Sequence, residues 1–428
     1  MTQQSATDVP APAAAGANRY LVLALLFVVY TFNFIDRQII GILAAPIQEE
    51  LGVNDAQMGL LGGLAFALFY TGLGIPIAWL ADRWSRTWIM TIALTLWSGF
   101  TALCGAATSY TQLFLARMGV GVGEAGGVAP AYSLISDYFP PKERARALAV
   151  YSFGIPIGSA AGIALGGVVA SLVDWRAAFI TVGLAGVLIA PIFRLVVREP
   201  ERGRYDAEPE AGAKAGLFEA LATVARKPSF WLLSFGASCS SIMGYGSFFW
   251  IPSFLRRSYG FELQEAAFFY SAILLVGGVI GVWLGGMLGD KLGAKRRAMF
   301  ALVPAAAWIL AAPCYALGLL SPSPTVAFFL FLAPTALGLV WLGPVIAAVQ
   351  HLAPAHMRTT ASASFLFINN LIGIGLGTWL LGVLSDALAA RFAEESLRYS
   401  ILAGTGFYVV AALLYLVAAA NLSRDWVD

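Results

Sequence analysis

Four ionisable residues interrupt long apolar stretches in the first half of the sequence. Asp36 and Arg37 are adjacent in one stretch, and Arg117 and Glu124 stand seven residues apart in another. A charge inside a membrane-spanning helix costs at least about 2.5 kcal/mol, so such residues usually mark the path of an ion or a substrate. Two acids stand against two bases, so the set is neutral when all four groups are ionised.

The depth of these residues follows from the rise of an α-helix. At about 1.5 Å per residue, Asp36 lies about 24 Å beyond the start of its stretch at Tyr20. Arg117 reaches nearly the same level from the opposite direction, and Glu124 lies two turns further along. We therefore predict that Asp36 and Arg117 can pair, and that Glu124 lies deeper towards the cytosol.

The chemistry that these residue types suit is proton-coupled binding of an anion. We predict that Asp36 and Glu124 carry the coupling proton. Arg37, turned about 100° from Asp36, would meet an anionic head group, and Arg117 would be the switching partner. A static ion-pair network that fixes the two helices against each other is the alternative.

The composition indicates that these stretches span a lipid bilayer. Of the 428 residues, 59% are hydrophobic and only 12% are charged, against roughly 25% charged in ordinary soluble domains. Cys104, Cys239 and Cys314 show neither disulfide nor zinc-ligand spacing, and the chain has no phosphate-binding GxxxxGK[ST] loop. We therefore expect no cofactor, no metal site, no nucleic-acid partner and no enzymatic activity.

A spanning helix needs about 20 apolar residues, and twelve such stretches predict an all-α polytopic membrane protein. The predicted spans are 20–46, 56–80, 87–108, 112–136, 147–172, 177–197, 229–252, 266–288, 298–320, 326–350, 360–384 and 401–420. The acidic residues of the second half, among them Glu265, Asp290 and Asp386, are predicted to lie in loops between these spans.

The distribution of basic residues predicts the orientation in the membrane. Of the 26 Lys and Arg residues, only Arg176, Arg256, Arg257, Arg391 and Arg398 fall in the loops that follow odd-numbered spans. We therefore expect those loops outside and both termini in the cytosol.

The longest polar stretch divides the spans six and six. We predict a disordered cytosolic tail over 1–18, a first six-helix bundle over 19–197, a cytosolic linker over 198–227, a second bundle over 228–420 and a cytosolic tail over 421–428. The last part of the linker, from Leu217 to Lys227, has helical apolar spacing, which predicts a short helix at the membrane interface.

The two halves repeat short patterns at matching places. The stretch AWLADRWSR before the third span corresponds to GMLGDKLGAKRR before the ninth, which puts Asp82 and Asp290 208 residues apart. Pro140 and Arg144 likewise correspond to Pro354 and Arg358. A repeat of half the chain in the same orientation predicts two parallel six-helix bundles with a cavity between them.

These patterns resemble the loop signature of the major facilitator superfamily, and the resemblance extends over essentially the whole chain. The first copy departs from the signature, because Ala78 and Ser85 stand in place of its two glycines. The resemblance implies the major facilitator fold and a cytosolic gate of charge pairs and helix ends, with solvated turns as the alternative. The residues assigned to the gate are Asp82, Arg83, Arg86, Gly286, Asp290 and Lys291.

A narrower resemblance is to the Spinster group of lysolipid transporters. It is carried by NFIDRQ (33–38), LFLARMGVGVGEAGGVAP (113–130), DYFPPKERARA (137–147) and WIPSFLRRSYG (250–260). The resemblance implies a secondary active transporter that works by alternating access, coupled to protons, on an amphipathic or lysolipid-like substrate. A proton-driven multidrug exporter and an uncoupled lipid translocator are the alternatives.

The expected partners are this amphipathic substrate, protons and membrane lipid, and we expect a monomer. Tyr245, Asn369 and Asn370 lie within spans of the second half and are candidate cavity-lining residues. Such side chains also bond between helices for structural reasons, which is the alternative. Glycines recur every four residues from Gly154 to Gly166, and every second residue from Gly119 to Gly123, which predicts close helix packing at both runs.

Overall fold

The structure, a computed structural model, describes residues 18–205, 217–293, 296–354 and 357–427. These residues form α-helices and one short 3-10 turn at Ala393–Glu395. The α-helices are α1 (Arg19–Ile42), α2 (Ala44–Leu51), α3 (Asp55–Gly62), α4 (Leu64–Ala81), α5 (Arg86–Gly105), α6 (Tyr110–Glu124), α7 (Val128–Tyr138), α8 (Pro141–Ser152), α9 (Gly154–Leu172), α10 (Trp175–Val196), α11 (Leu217–Ala225), α12 (Pro228–Tyr259), α13 (Leu263–Gly293), α14 (Met299–Leu320), α15 (Pro324–Leu337), α16 (Leu342–Gln350), α17 (Arg358–Phe392), α18 (Ser396–Gly404) and α19 (Gly406–Asp425).

Length and apolar composition alone mark nine stretches of the described residues as able to cross a bilayer. The last of them, Arg358–Asp425, contains two spans, because α17 ends at Phe392 and α18 begins at Ser396. The pair α6 and α7 and the 32-residue helix α12 supply the other two, and their polar residues lower their mean hydropathy. The predicted architecture of twelve spans in two six-helix bundles is confirmed.

Close backbone packing at both glycine runs is confirmed. Helix α9 lies against α1, where a side chain at Gly162 would meet the backbone of Ile35. On α6, Gly121 faces the backbone of Phe66, and Gly123 faces the backbone of Trp97. The second run therefore brings the helix that bears Arg117 and Glu124 into contact with both α4 and α5.

Several spans are broken helices, and one break lies at a predicted site residue. Helix α6 ends at Glu124, three turn residues follow, and α7 begins at Val128. The amides of Gly126 and Gly127 bond back to the carbonyls of Gly123 and Glu124. The turn therefore holds the Glu124 carboxylate at the end of a helix inside the bundle.

The second bundle extends further along the chain than predicted. Helix α19 continues to Asp425, beyond the predicted end of the bundle at 420, because Leu422 is buried and the Asp425 carboxylate accepts a hydrogen bond from the amide of Ser229. Helix α11 is present within the predicted linker. Residues 1–17, most of the predicted N-terminal tail, and linker residues 206–216 lie outside the described residues.

The prediction that acidic residues of the second half lie in loops is wrong for three of them. Glu265 and Asp290 belong to α13, and Asp386 belongs to α17. Both helices extend past the apolar windows that defined the predicted spans: α13 begins at Leu263 and ends at Gly293, and α17 ends at Phe392. Both bundles share the same two ends, which we name by a residue found at each: the Asp55 end and the Arg86 end.

Candidate functional site

Asp36 and Arg117 lie together in the interior of the first bundle, as their predicted depth requires. Asp36 on α1 and Arg117 on α6 are each only 1% exposed. Nη1 of Arg117 donates to the backbone carbonyl oxygen of Asp36 at 3.3 Å. Neither oxygen of the Asp36 carboxyl group has a hydrogen-bond partner. The expected pair between the two side chains is therefore not formed in this conformation.

The ion pair that does form joins the other two members of the set. Nε of Arg37 donates to Oε2 of Glu124 at 2.6 Å, and the Glu124 side chain is completely buried. The Arg37 guanidinium also lies 4.4 Å from the ring centre of Tyr70 and 4.9 Å from that of Phe66. In this conformation Arg37 is therefore already paired with Glu124 and packed on two aromatic faces, and its contact with an anionic group stays a prediction.

Of the two arginines Arg37 and Arg117, Arg117 is the one whose guanidinium has no carboxylate partner among the described residues. The described residues place no acidic side chain within ion-pair distance of it, although Glu124 stands two turns away on the same helix. The sequence identified all four residues, but it did not predict that Arg37 is the arginine that pairs with Glu124. Residues one position apart point about 100° apart around a helix, so depth alone does not determine partners.

A small cavity lined by two guanidinium groups lies between the bundles at this level. Helices of both bundles contribute to it, and Arg37 and Arg117 supply its charge. Its lining residues are Arg37, Gln38, Gly62, Phe66, Arg117, Tyr245, Phe248, Phe249, Ile374 and Thr378. A cation-lined cavity between two bundles is suited to an anionic group.

A second, apolar cavity of about 640 Å³ lies mainly in the second bundle. Phe34 and Ile155 of the first bundle close one side of it. The remaining lining residues are Ser240, Ser241, Gly244, Tyr245, Phe248, Tyr315, Pro334, Thr335, Gly338, Leu339, Trp341, Leu342 and Tyr408. Tyr245 and Phe248 line both cavities, so the two cavities are neighbours.

The candidate cavity-lining residues of the second half have different surroundings. Tyr245 lines both cavities, as expected. Asn369 is 3% exposed and its Oδ1 accepts a hydrogen bond from Ser241 at 2.9 Å, which joins α17 to α12. Its Nδ2 is 3.4 Å from Oδ1 of Asn370. The bond to Ser241 agrees with the alternative that Asn369 joins two helices instead of lining a cavity.

Sequence reasoning missed a network at the Asp55 end that joins the two bundles. Arg257 on α12 donates to both carboxylate oxygens of Asp55, at 2.8 and 2.7 Å, and to Gln48 at 3.1 Å. Ser385 on α17 also donates to Asp55, at 2.7 Å. Each of these residues stands at the edge of a predicted span and resembles a solvated loop end. The available signal was Arg257 itself, one of the few basic residues in the predicted outer loops.

Two further contacts strengthen the same end. The carboxylate of Asp386 accepts from the backbone amides of Asp55 and Ala56, at 3.2 and 2.8 Å, and so caps the first turn of α3. Oγ1 of Thr378 donates to the carbonyl oxygen of Gly59 at 2.6 Å. Among the described residues, the side-chain hydrogen bonds that join the two bundles all lie at this end.

The residues assigned to the gate lie at the Arg86 end, where their described contacts stay within one bundle. Arg86 bonds to Asp137, to Ser133 at 2.8 Å and to Glu199 at 2.6 Å. Nη1 of Arg83 donates to the carbonyl oxygen of Trp79 on its own helix at 3.1 Å.

The remaining gate residues form no described contact across the bundles. The carbonyl oxygen of Asp82 accepts from Arg202 at 2.6 Å. A side chain at Gly286 would have open space around it, and Lys291 is exposed. The side chain of Asp290 lies outside the part of the structure that is described. The closing role of these residues stays a prediction.

Carboxylates outside the spans have shifted pKa values at both ends. Hydrogen bonds from Arg176 and Trp175 lower the pKa of the exposed Glu50 at the Asp55 end. At the Arg86 end, burial raises the pKa of Glu199, but the amide of Thr87 and the guanidinium of Arg86 lower it by more, so the net shift is downwards. Both acids therefore act as ionised partners of arginines at neutral pH.

Two parallel bundles with a charged cavity between them define a class of membrane transporter. The sequence matches the Major Facilitator Superfamily over residues 26–378, and the chain belongs to this superfamily of transporters. The fold and the predicted resemblance are thereby confirmed.

Within the superfamily, the chain is similar to Spinster proteins and to an efflux pump. It matches the crystal structure of a bacterial homologue of the human lysosomal transporter Spinster, in an inward-facing and unoccupied conformation, with a TM-score of 0.86 and 34% identity over 96% of this chain and 98% of that one. An MFS-type efflux pump of Mycolicibacterium smegmatis is 32% identical over 99% of this chain and 98% of the relative. Protein spinster homolog 1 of Xenopus tropicalis is 27% identical over 94% of this chain and 81% of the relative.

Proposed function

We propose that the protein is a proton-coupled secondary transporter that moves an amphipathic anion with an apolar chain by alternating access. The observation that carries this proposal is that a cavity lined by two arginines and an apolar cavity adjoin at Tyr245 and Phe248. An anionic group bound at Arg117 would leave its chain beside the aromatic residues of the apolar cavity. The proposed function is transport and not catalysis.

Proton coupling is proposed from the environment of Asp36. An ionised carboxylate without hydrogen-bond donors is costly in a dry interior, so the protonated form suits this conformation. When Asp36 carries the proton, Arg117 is free to bind the substrate anion. When Asp36 loses the proton, its carboxylate competes with that anion for Arg117. The proton and the anion therefore bind together in this scheme.

The orientation is proposed from the contacts between the bundles together with the basic loops. We place the Asp55 end outside and the Arg86 end in the cytosol of a bacterial inner membrane, with both termini cytosolic. Since the hydrogen bonds between described residues of the two bundles lie at the Asp55 end, the cavities then face the cytosol. This agrees with the inward-facing conformation of the bacterial Spinster homologue.

The test is transport by the full chain in liposomes that contain a pH-sensitive dye. Addition of an anionic lysophospholipid should move protons in step with the lipid. Asp36→Asn and Glu124→Gln should abolish this linked proton movement, while Glu262→Gln, an exposed loop acid, should retain it as the matched control. Full coupling in both buried variants would refute the coupling residues, and lipid movement that ignores an imposed pH gradient would favour an uncoupled translocator.

A proton-driven drug exporter is the second candidate, because one relative is named as an MFS-type efflux pump. In that case Glu124 would bind a cationic compound in competition with Arg37. The same liposomes can be challenged with a hydrophobic cation and with an anionic lysophospholipid at equal concentration. Proton movement linked to the cation alone would replace the proposed substrate class.

A further inference from the structure

Two polar side chains on α5 approach the Asp36 carboxyl group without forming a hydrogen bond to it. They belong to Trp97 and Thr101, which stand four residues apart and therefore lie on one face of the helix. Both side chains are 0% exposed. Neither Nε1 of Trp97 nor Oγ1 of Thr101 has a hydrogen-bond partner, and neither carboxyl oxygen of Asp36 has one. Buried polar atoms without partners are rare, and four of them meet here.

The hydroxyl group of Thr101 differs from those of other threonines on the same helix. Thr91 and Thr95 donate to the carbonyl oxygens four residues earlier, at 2.7 and 2.8 Å, as threonines in helices commonly do. Thr101 does not make this local bond. Its hydroxyl group is therefore available to a partner on another helix, and Asp36 is that neighbour.

The indole of Trp97 is held in place by packing. A side chain at Gly123 would meet the Trp97 backbone, and one at Gly127 would lie 3.6 Å from the indole ring. The indole N–H groups of Trp175, Trp231 and Trp250 each donate to an oxygen atom. Trp97 thus carries an unused donor that its surroundings keep beside Asp36.

We propose that Trp97 and Thr101 are positioning residues, a donor pair that receives Asp36 when it loses its proton. The Asp36 O–H bond breaks, the proton passes to solvent, and the indole N–H and the threonine O–H then donate to the carboxylate oxygens. Neither bond is formed in this structure. This inference rests on the proposed function, since it assigns the residues that make proton release from Asp36 reversible.

The other ionisable groups around Asp36 are few. Arg117 and Glu124 face it from α6, and the Cys104 thiol faces it from α5. Arg37 is its chain neighbour, but it is paired with Glu124. Arg117 stabilises the Asp36 carboxylate as a charge and also binds the substrate anion in the proposed cycle. The carboxylate forms in this cycle after the anion has left Arg117, and the donor pair would then stabilise it together with that guanidinium.

The experiment is an infrared titration of the full chain in lipid nanodiscs. The carboxyl C=O band that Asp36→Asn removes is followed against pH, without substrate. Thr101→Val should move the midpoint of this band to higher pH by about one unit, because a hydrogen bond to a charged group is lost. Trp97→Phe should move it in the same direction. Thr101→Ser keeps a hydroxyl group and should restore the midpoint.

Two matched controls separate donor loss from loss of packing. Thr91→Val removes a hydroxyl group from the same helix, and Trp308→Phe removes a buried indole N–H that also has no partner, in the other bundle. Neither should move the midpoint. If Trp97→Phe does not fold, the comparison of Thr101→Val with Thr101→Ser decides alone. An unchanged midpoint in Thr101→Val overturns the proposal.

This readout is independent of transport. If Asp36→Asn transports with normal proton coupling, the proposed coupling role of Asp36 fails, yet a shifted midpoint in Thr101→Val would still establish the donor pair. If coupling depends on Asp36 but the midpoint does not respond to Thr101→Val, only the donor pair fails.

Discussion

Both ends of the protein contain arginine–carboxylate pairs, but the pair at the Asp55 end joins the two bundles, whereas the pairs at the Arg86 end do not. At the Asp55 end, the carboxylate of Asp55 and the guanidinium of Arg257 belong to different bundles, so their bonds hold the bundles together. At the Arg86 end, Arg86 bonds to Asp137 and Glu199, both on the first-bundle side of the chain. An arginine–carboxylate pair therefore locks a transporter only when its members lie on the parts that move apart.

This comparison assigns different tasks to the two networks. In the proposed alternating-access cycle the bundles separate at the Asp55 end, so breaking the Asp55 network should change the equilibrium between conformations. Breaking the Arg86 network should lower the stability of the first bundle in every conformation. The predictions below test this difference.

The largest effect is expected from Asp55→Asn. The variant loses the charge that Arg257, Gln48 and Ser385 surround. Loss of charge-assisted hydrogen bonds costs about 2 kcal/mol, which is roughly 30-fold in the ratio of conformations. Pulsed electron paramagnetic resonance between spin labels at the exposed residues Ala106 and Ala390 should show a larger share of long distances.

The matched control for this measurement is Asp174→Asn. Asp174 is exposed, and its carboxylate accepts from the amide of Ala177 within the first bundle, as an N-cap of α10. It should leave the distance distribution unchanged. Equal responses of the two variants would show that the Asp55 network is not a lock between the bundles.

A smaller effect is expected from glycine substitutions at the two ends. A methyl group at Gly59 would press on the backbone of Thr378 across the bundles, whereas one at Gly286 has open space. Overpacking typically costs 1–3 kcal/mol, so Gly59→Ala should shift the same distances by about tenfold in population. Gly286→Ala should leave them as they are. A response to Gly286→Ala and none to Gly59→Ala would reverse the assignment of the closed end.

The smallest effect is expected from Glu199→Gln, read as thermal stability. Because the folded-state pKa of Glu199 lies below its ordinary value of 4.5, its contribution is complete above that pH and is lost as the pH falls through the folded-state pKa. At pH 7 the variant should melt about 2 °C lower, and the difference should narrow below pH 4.5.

Glu201→Gln, at an exposed acid two residues further on, is the control for this melting experiment. Its melting temperature should follow that of the unmodified protein across the pH range. A constant deficit of Glu199→Gln at all pH values would indicate lost packing instead of a lost ion pair. A change in the spin-label distances of Glu199→Gln would contradict the separate tasks of the two ends.

The architecture and the buried charges could be predicted because lipid imposes strong rules on sequence. Apolar length specifies spans, and Asp36, Arg37, Arg117 and Glu124 violate the apolar pattern visibly. Their pairing could not be predicted in the same way. The pairing depends on how α1 and α6 are rotated about their axes. The depth of a residue, calculated from the helix rise, says nothing about this rotation.

The Asp55 network was not predicted from the sequence, for a different reason. Its residues stand where spans end and where charges are ordinary, so no local pattern separates them from solvated loops. Asp55 and Arg257 are far apart in sequence and meet only because the bundles tilt together at this end. Contacts between residues that are distant in sequence leave little trace in local composition.

The cap that Asp386 places on α3 has a practical consequence. When the bundles separate at that end, the amides of Asp55 and Ala56 must exchange a carboxylate for water, because the first amides of a helix have no partner within it. Deuterium uptake at the Ala56 amide would thus count openings without any label or mutation. Hydrogen exchange at the first turn of α3 would therefore report how often the Asp55 end opens in the proposed transport cycle.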